Sequence, residues 1–545
     1  MKNGLSILLF ILICNCTRAQ GIFFPAPNEL YGQLYIDVQS SGIFPDSKTF
    51  VDCTSRMDPG IILGDYESAD KNTLDLKQFV IDHFRIPSDP PAFNYVQQEK
   101  DLSKHIQNLW SVMRREASGN YDPMGSLLET PYPYIVPGGR YREIHYFDSY
   151  FTMLGLKTAR EDEMLPNMID NLTDAINRYG YIPHGFRTYY LSRSQVPFYC
   201  MMIELLAEMK GESVYVKYLP AMEREYAYWM EGAKELKPGQ AYKRVVRLKD
   251  GTYLNRFWDD LDIPRAENYM EDVAIVDRAI SDFLQQKTFL SEQDKNKSVD
   301  SLRSAQYRHI RSAASSGADF GNRWFTDEKS MNVMETTDIL PVDLNALMLK
   351  MESVIAKARK LIGVQNPMVG IYKRSDFNAI FWNERLGYYT DFHHLKNKKM
   401  ARITLAGMYP FCFEIEQFKS QQIKAQKASS VLKEKLLKPG GLISFEKKSD
   451  SSLIGPFGFA SLQWLSIVGL NRCGQSQLAN EISNRWMKLN EDIYLRTGKL
   501  LEKYDVEEKS VPKDNRFSVQ DGFGSTNGVY LALKQKIGMQ EEKNK

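Results

Sequence analysis

Pro137-Gly138-Gly139-Arg140-Tyr141-Arg142-Glu143-Ile144-His145-Tyr146-Phe147-Asp148-Ser149-Tyr150 is the stretch from which the rest of the chain can be read. Two glycines directly after a proline allow a tight turn. Arginine, glutamate and aspartate then stand among aromatic rings, at the entrance of an apolar, helix-like run from Phe151 to Leu156. So many directional polar groups beside so much ring surface exceed what a turn requires. The segment reads as ligand-lining; the competing reading is a buried polar network that only fixes the turn.

Similar loops recur outward from it. They include Tyr181 to Arg187 running into Tyr189 to Gln195, then Arg265 to Asp272, Ser315 to Trp324, and Leu501 to Asp505 with Gln520 to Gly524. Each falls where a helix should begin or end. Between them lie apolar stripes at helical spacing: Leu102, Ile106, Leu109, Trp110 and Met113; Phe198 to Glu208; Leu219 to Leu236; Leu344 to Ile355; Val431 to Leu437 before Pro439-Gly440; Leu462 to Gly469; and Leu478 to Leu489. Strand-like alternation is scarce, and Gly251 to Leu254 and Tyr372 to Arg374 suggest small hairpins only. This rhythm of helix, loop, helix predicts an all-alpha fold, a toroid of helix pairs whose long loops meet at one mouth. A superhelical array is the other arrangement, but no fixed sequence period supports it. Gly21 to Pro90, rich in Pro, Asp and Ser, reads as an irregular arm wrapping the toroid. The expected division is a signal at 1–19, an arm at 20–100 and the helical domain at 101–540.

The 545 residues can bury a large core, and 70 basic against 68 acidic side chains leave no field for nucleic acid. Lys2, the apolar run Leu5 to Ile13 and Thr17-Arg18-Ala19 form a secretory signal too short to span a membrane. Cleavage after Ala19 is expected, with lipid attachment at Cys16 as the other route to a periplasmic or secreted protein. Cys53, Cys200, Cys412 and Cys473 stand far apart among apolar neighbours, and free thiols and disulfides remain equally open. The seven histidines show no metal-ligand spacing, and the His393-His394 pair reads as a surface or loop feature. The basic run from Lys419 to Lys438 reads as a solvated helix face.

Several carboxylates, arginines and rings gathered at one mouth suit cleavage of a glycosidic bond. That reaction needs an acid to protonate the leaving oxygen, a second carboxylate, and donors around the ring hydroxyls. Pattern alone leaves the choice among the carboxylates open. Pro137 to Leu156, however, resembles the first signature of the trehalase family, inverting glycosidases with an (alpha/alpha)6 toroid. Tyr189 to Gln195, Arg265 to Asp272, Gly317 to Trp324, Pro341 to Asn345, Leu462-Gln463-Trp464, Glu502 to Asp505 and Gln520 to Gly524 continue the resemblance in the family's order. It implies Asp319 as general acid and Glu502 as general base. It places Arg140, Arg193 and Arg265 in the sugar pocket, with Phe147, Asp148, His184, Gln195 and Glu267 at other pocket positions. No cofactor or metal is implied; the expected partner is a small disaccharide, met by a monomer.

The departures from the family pattern cluster around the sugar. Phe147 replaces Trp, and His184 and Phe186 replace Asn. Ser315 and Ala318 stand where Glu and Trp are usual, Ile454 replaces Asp, Arg516 replaces Glu, and Ser525 replaces Trp. Lost hydroxyl partners change discrimination strongly. Trehalose hydrolysis therefore stands beside two alternatives, hydrolysis of another alpha-glucoside or modified disaccharide, and sugar binding without catalysis.

Overall fold

Six helices close a ring around the centre of the molecule. The computed structural model describes residues 25–88, 99–119, 122–287, 291–317, 321–326, 333–365, 374–415, 418–446, 455–513 and 519–543. Four helices come first: α1 (Pro27–Ser41), α2 (Lys48–Val51), α3 (Pro59–Ser68) and α4 (Leu76–His83). The rest are α5 (Leu102–Met113), α6 (Tyr146–Ala159), α7 (Met164–Tyr179), α8 (Tyr199–Lys210), α9 (Ser213–Trp229), α10 (Tyr269–Gln286), α11 (Glu292–Ala314), α12 (Val342–Leu361), α13 (Arg374–Phe381), α14 (Tyr409–Cys412), α15 (Phe418–Val431), α16 (Ala460–Arg472), α17 (Ser476–Thr497) and α18 (Gly524–Lys543). Helix α6 packs on α8, α8 on α12, α12 on α14, α14 on α16, α16 on α18, and α18 returns to α6.

The division into inner and outer helices follows from composition. Inner helices are buried on nearly every side, as in α16, where Ala460 to Ile467 are all inside; a helix without a polar face must be surrounded. Outer helices keep one apolar stripe. In α5 the buried residues are Leu102, His105, Ile106, Leu109, Trp110 and Met113, and Asp101 starts that helix by accepting from the Ser103 and Lys104 amides at 2.8 and 3.2 Å. The ring closes where α6 meets α18 backbone to backbone. A Cβ at Gly528 would lie 2.0 Å from the Phe151 carbonyl oxygen, and one at Gly155 2.5 Å from the Gly528 Cα, so only glycine permits this approach.

Several expectations need correction. The segment read as an irregular arm is helical over α1 to α4. Its short helices are opened by local caps, the Asp58 carboxylate to the Gly60 amide at 2.8 Å and Asp75 to Gln78 at 3.0 Å, rather than by a long apolar stripe. Its interior, including Tyr31, Leu34, Phe50 and Phe84, is shared with Tyr189, Tyr190 and Ala266 from the larger body. The helix expected from Leu219 to Leu236 is α9, which begins earlier and ends at Trp229, with Gly232 taking a positive φ of 75° beyond it. His393 is a buried strand residue rather than a surface feature; it pairs with Ile339 and Lys398 and is 2% exposed. The hairpin at Gly251 to Leu254 is present, ending in the Tyr253–Asn255 strand. Tyr372 and Lys373 lie outside the described residues, and Arg374 opens α13. The run from Lys419 is carried by α15 and a π-turn at Leu432–Leu436; Ala425, Ala428 and Leu432 face inward. Cys53, Cys200, Cys412 and Cys473 are free thiols, all buried.

Candidate functional site

The loops of the opening stretch and its counterparts meet in one cavity of about 180 Å³. It sits at the N-terminal ends of inner helices: α6 supplies Phe147 and Asp148, α16 supplies Ala460 and Ser461, and α18 supplies Ser525. The Pro137 turn reaches it because Gly138 and Gly139 adopt φ of 109° and 56°. Any side chain there would strike the Gly522 carbonyl at 2.6 Å or the Gln520 side chain at 2.2 Å. The turn thereby docks on the 520–524 loop, and the Arg140 amide donates to Gln520 Oε1 at 2.6 Å.

Arg140, Phe147, Asp148, His184, Arg193, Gln195, Arg265, Glu267 and Glu502 all line this cavity. Asp319 lies outside the described residues, as do Ala318, Ile454 and Arg516; Gly317 is on the cavity wall. Lys48, Tyr141, His145, Tyr190, Asn268, Lys503, Gln520, Phe523 and Ser525 also line it, without having been singled out as site residues. Tyr141, His145, Gln520 and Phe523 stood inside the quoted motifs, whereas no local pattern marks Lys48.

Arg265 and Arg193 are each held by carboxylates behind them. Arg265 is bound by Asp272 through Nε at 2.9 Å and a terminal nitrogen at 2.6 Å. Arg193, wholly buried, donates to Asp259 at 3.3 Å and to Glu267 at 2.7 Å. Arg311, on α11, reaches the same Asp259 at 3.0 Å. Burial alone would raise the Glu267 carboxyl, but the charges of Arg193, Arg265 and Arg311 outweigh it and hold the group below its ordinary value. Glu267 is an anion here, a permanent acceptor. Its Oε2 has no hydrogen-bond partner among the described residues, and neither has Arg140 Nε; both atoms are buried. A buried donor and a buried acceptor left open in residues that line one cavity call for a polar ligand.

Asp148 differs from Glu267. Desolvation raises its carboxyl above the ordinary range, against the pull of His145 and of the Ser525 hydroxyl, which donates at 3.2 Å. His184 stacks on Tyr190 with centroids 4.8 Å apart and accepts from Arg193 Nε at 3.3 Å. Burial and the Arg193 charge hold its imidazole well below the usual value, so the ring is neutral at pH 7. Gln195 accepts the Phe147 amide at 2.8 Å, fixing the start of α6.

Glu502 enters from the segment before the Lys503–Asp505 strand. Its amide donates to the Gln520 carbonyl at 2.9 Å. The strand that follows, Lys503–Asp505, pairs antiparallel with Phe457–Phe459, Lys503 opposite Phe459. Two ladders therefore hold the backbone on either side of this carboxylate, which makes its placement a property of rigid elements. Among the described residues no group of three or more His, Cys, Asp or Glu side chains is placed to hold a metal ion, and no helix is long and apolar enough to cross a membrane.

Comparison with known proteins gives a consistent result. A family model described as Trehalase matches residues 42–538. The periplasmic trehalase of Escherichia coli O1:K1 / APEC is 40% identical over 525 residues, covering 95% of this chain and 88% of that protein. The periplasmic trehalase of Shigella flexneri serotype 5b matches at 40% over the same shares, 95% and 88%. Among solved structures, the neutral trehalase of Saccharomyces cerevisiae superposes with a TM-score of 0.57 at 21% identity, covering 80% of each chain, and shows the same fold.

Proposed function

Because the chain belongs to the trehalase family, we propose that its cavity binds trehalose and that the chain hydrolyses it to two glucose molecules with inversion. Glu502 takes a proton from a water as that water attacks the anomeric carbon. Asp319 gives a proton to the glycosidic oxygen as its bond to the same carbon breaks. In this mechanism the two carboxyl groups stand about 6.5–9.5 Å apart, leaving room for the water. Arg140, Arg193 and Arg265 donate to sugar hydroxyls and Glu267 accepts from one. Asp148, with its raised carboxyl, grips another, and Phe147 forms a wall. His184, neutral, and Gln195 complete the polar lining.

The observation that carries this reading is the pair of open valences, Arg140 Nε and Glu267 Oε2, buried in the cavity that Glu502 also lines. A polyol satisfies both with a single hydroxyl chemistry, donating to the carboxylate and accepting from the guanidinium. A second reading, an alpha-linked glucoside other than trehalose or a modified disaccharide, is favoured by Ser525. It puts a small hydroxyl on the wall, tied to Asp148 at 3.2 Å, where the family pattern has a tryptophan.

We place the working compartment outside the cytoplasm, on the Lys2 to Ala19 pattern and the periplasmic relatives. The active unit is proposed to be a monomer. The mass of the exported protein distinguishes cleavage after Ala19 from lipid attachment at Cys16. For the activity, purified protein is incubated with trehalose and a panel of alpha-glucosides, alongside Asp319→Asn and Glu502→Gln. Glucose from trehalose that disappears in both variants, each still folded by circular dichroism, is the expected result. Glucose only from another glucoside selects the second reading, and a variant with near-normal rate removes that residue from its role.

A further inference from the structure

The N-terminal helices bring one residue into the cavity lining that no motif marked. Lys48, at the start of α2, is 1% exposed. Its Nζ donates to Asp52 at 2.8 Å, to Glu143 at 3.1 Å and to the Tyr189 hydroxyl at 2.9 Å. An ammonium has three N–H donors, and all are engaged. Burying such a charge is costly, and a helix that only covered the toroid would need no lysine there.

The groups around it form a closed set. The Tyr189 hydroxyl donates to Asp52 at 2.7 Å. Glu143, itself fully buried, accepts from Arg187 Nε at 3.2 Å and from the Arg142 amide at 3.2 Å. Its other oxygen lies 2.9 Å from His145 Nε2. The chain of contacts thus runs from the arm, through a carboxylate of the opening motif, to an imidazole on the cavity wall.

His145 in turn meets the neighbouring walls edge-on: Tyr141 at 4.7 Å, Tyr190 at 5.3 Å and His184 at 5.6 Å between centroids. All four rings line the cavity. The same arm holds a second cavity segment from behind. The Tyr35 hydroxyl and the Gln39 amide donate to the Ala266 carbonyl at 3.1 and 3.3 Å, and Ala266 stands between Arg265 and Glu267.

We propose that Lys48 is a positioning residue for the hydrolytic site: through Glu143 it fixes the His145 ring against the cavity, which makes the N-terminal helices a working part of the site. The inference rests on the hydrolase reading for its kinetic consequence and on geometry alone for its structural one. Lys48 Nζ also lies 2.9 Å from Glu143 Oε1, the oxygen that faces His145; without the ammonium, Glu143 keeps Arg187 and the Arg142 amide on Oε2 and loses the cation beside Oε1. The ring then turns, and the Tyr141 and Tyr190 walls follow. Displacement of a cavity wall by an ångström costs on the order of 100-fold in rate.

The test compares wild type, Lys48→Met and Lys48→Arg by kcat/KM on trehalose and by imidazole NMR, with His145 assigned through His145→Gln. Lys48→Met is expected to melt as a folded protein, to lose roughly 10- to 100-fold in kcat/KM, and to move the His145 signals more than those of His83 or His309. Lys48→Arg, which keeps charge and donors, should restore kcat/KM to within about threefold. An unmoved His145 signal overturns the proposal, as does a Lys48→Arg enzyme as impaired as Lys48→Met. Should Lys48→Met fail to fold, Glu143→Gln carries the same two readouts and is expected to shift His145 likewise; no shift overturns the proposal. If the wild type does not cleave trehalose, the hydrolase reading fails, and the His145 signals still decide whether Lys48 positions the ring.

Discussion

Glu225 of α9 gives a test of how the ring of inner helices is built beneath the site. Its side chain is wholly buried and its carboxyl accepts from the Tyr146 hydroxyl. That hydroxyl itself accepts from the Tyr199 amide at 2.8 Å. The second carboxyl oxygen has no partner among the described residues. Burial therefore pushes the group up from 4.5 to about 8, with Tyr146 only partly offsetting it. The folded chain keeps Glu225 neutral at pH 7, whereas the unfolded chain ionises it near 4.5. Between those values the folded state holds one more proton than the unfolded state, so this group's contribution to stability falls as pH rises. The slope is about 1.4 kcal/mol per pH unit, roughly 5 kcal/mol across the window. Glu225→Gln cannot ionise. Its amide lacks an acceptor in the place of the second oxygen, a cost of about 1–3 kcal/mol at every pH. The variant should therefore be somewhat less stable than wild type at pH 5 and more stable at pH 9. Urea unfolding of both proteins at pH 5, 7 and 9 reads the difference directly, and subtraction removes every other titrating group. A stability difference that stays constant within about 1 kcal/mol over that range would refute the reasoning.

Other expectations follow from packing and charge. Gly528→Ala puts a methyl into the Phe151 carbonyl and should cost about 1–3 kcal/mol or more by separating α6 from α18; an unchanged thermal midpoint would contradict the backbone contact. Asp259→Asn leaves Arg193 and Arg311 without their shared anion and should cost about 3–5 kcal/mol in denaturant unfolding, with KM raised because Arg193 loses one of its two carboxylate anchors and keeps only Glu267. Burial pushes the thiols of Cys53, Cys412 and Cys473 up to about 12, 11 and 12. Together with Cys200 they should ignore a thiol reagent in the folded protein and react fully in denaturant without reductant.

Much of the toroid was legible because its helices are long and their stripes regular: α5, α8, α12, α16 and α17 lie where apolar spacing places them. The arm was not, because helices as short as Lys48–Val51 carry no stripe, and proline-rich composition masks them. Asp58 before Pro59 and Asp75 before Leu76 were the readable signals, each a cap at a helix start. Arg140, Phe147 and Asp148 could be picked out because rings and charges crowd one turn. Lys48 could not, since its partners Glu143 and Tyr189 lie 95 and 141 residues away in sequence. The burial of His393 is hidden from the sequence because a pair of histidines has no apolar signature, and it comes from strand partners at Ile339 and Lys398. Ser525 was visible as a departure from a family pattern, but its bond to Asp148 depends on the closure of α18 onto α6.

The most direct test of the central claim is proton NMR of the glucose anomers during the first minutes of trehalose hydrolysis, before mutarotation. Inversion by Glu502 and Asp319 predicts one β-glucose, from the attacked ring, for each α-glucose released as the leaving group. Appearance of α-glucose alone would contradict the proposed roles of these two carboxylates, and absence of glucose would contradict trehalose as the substrate.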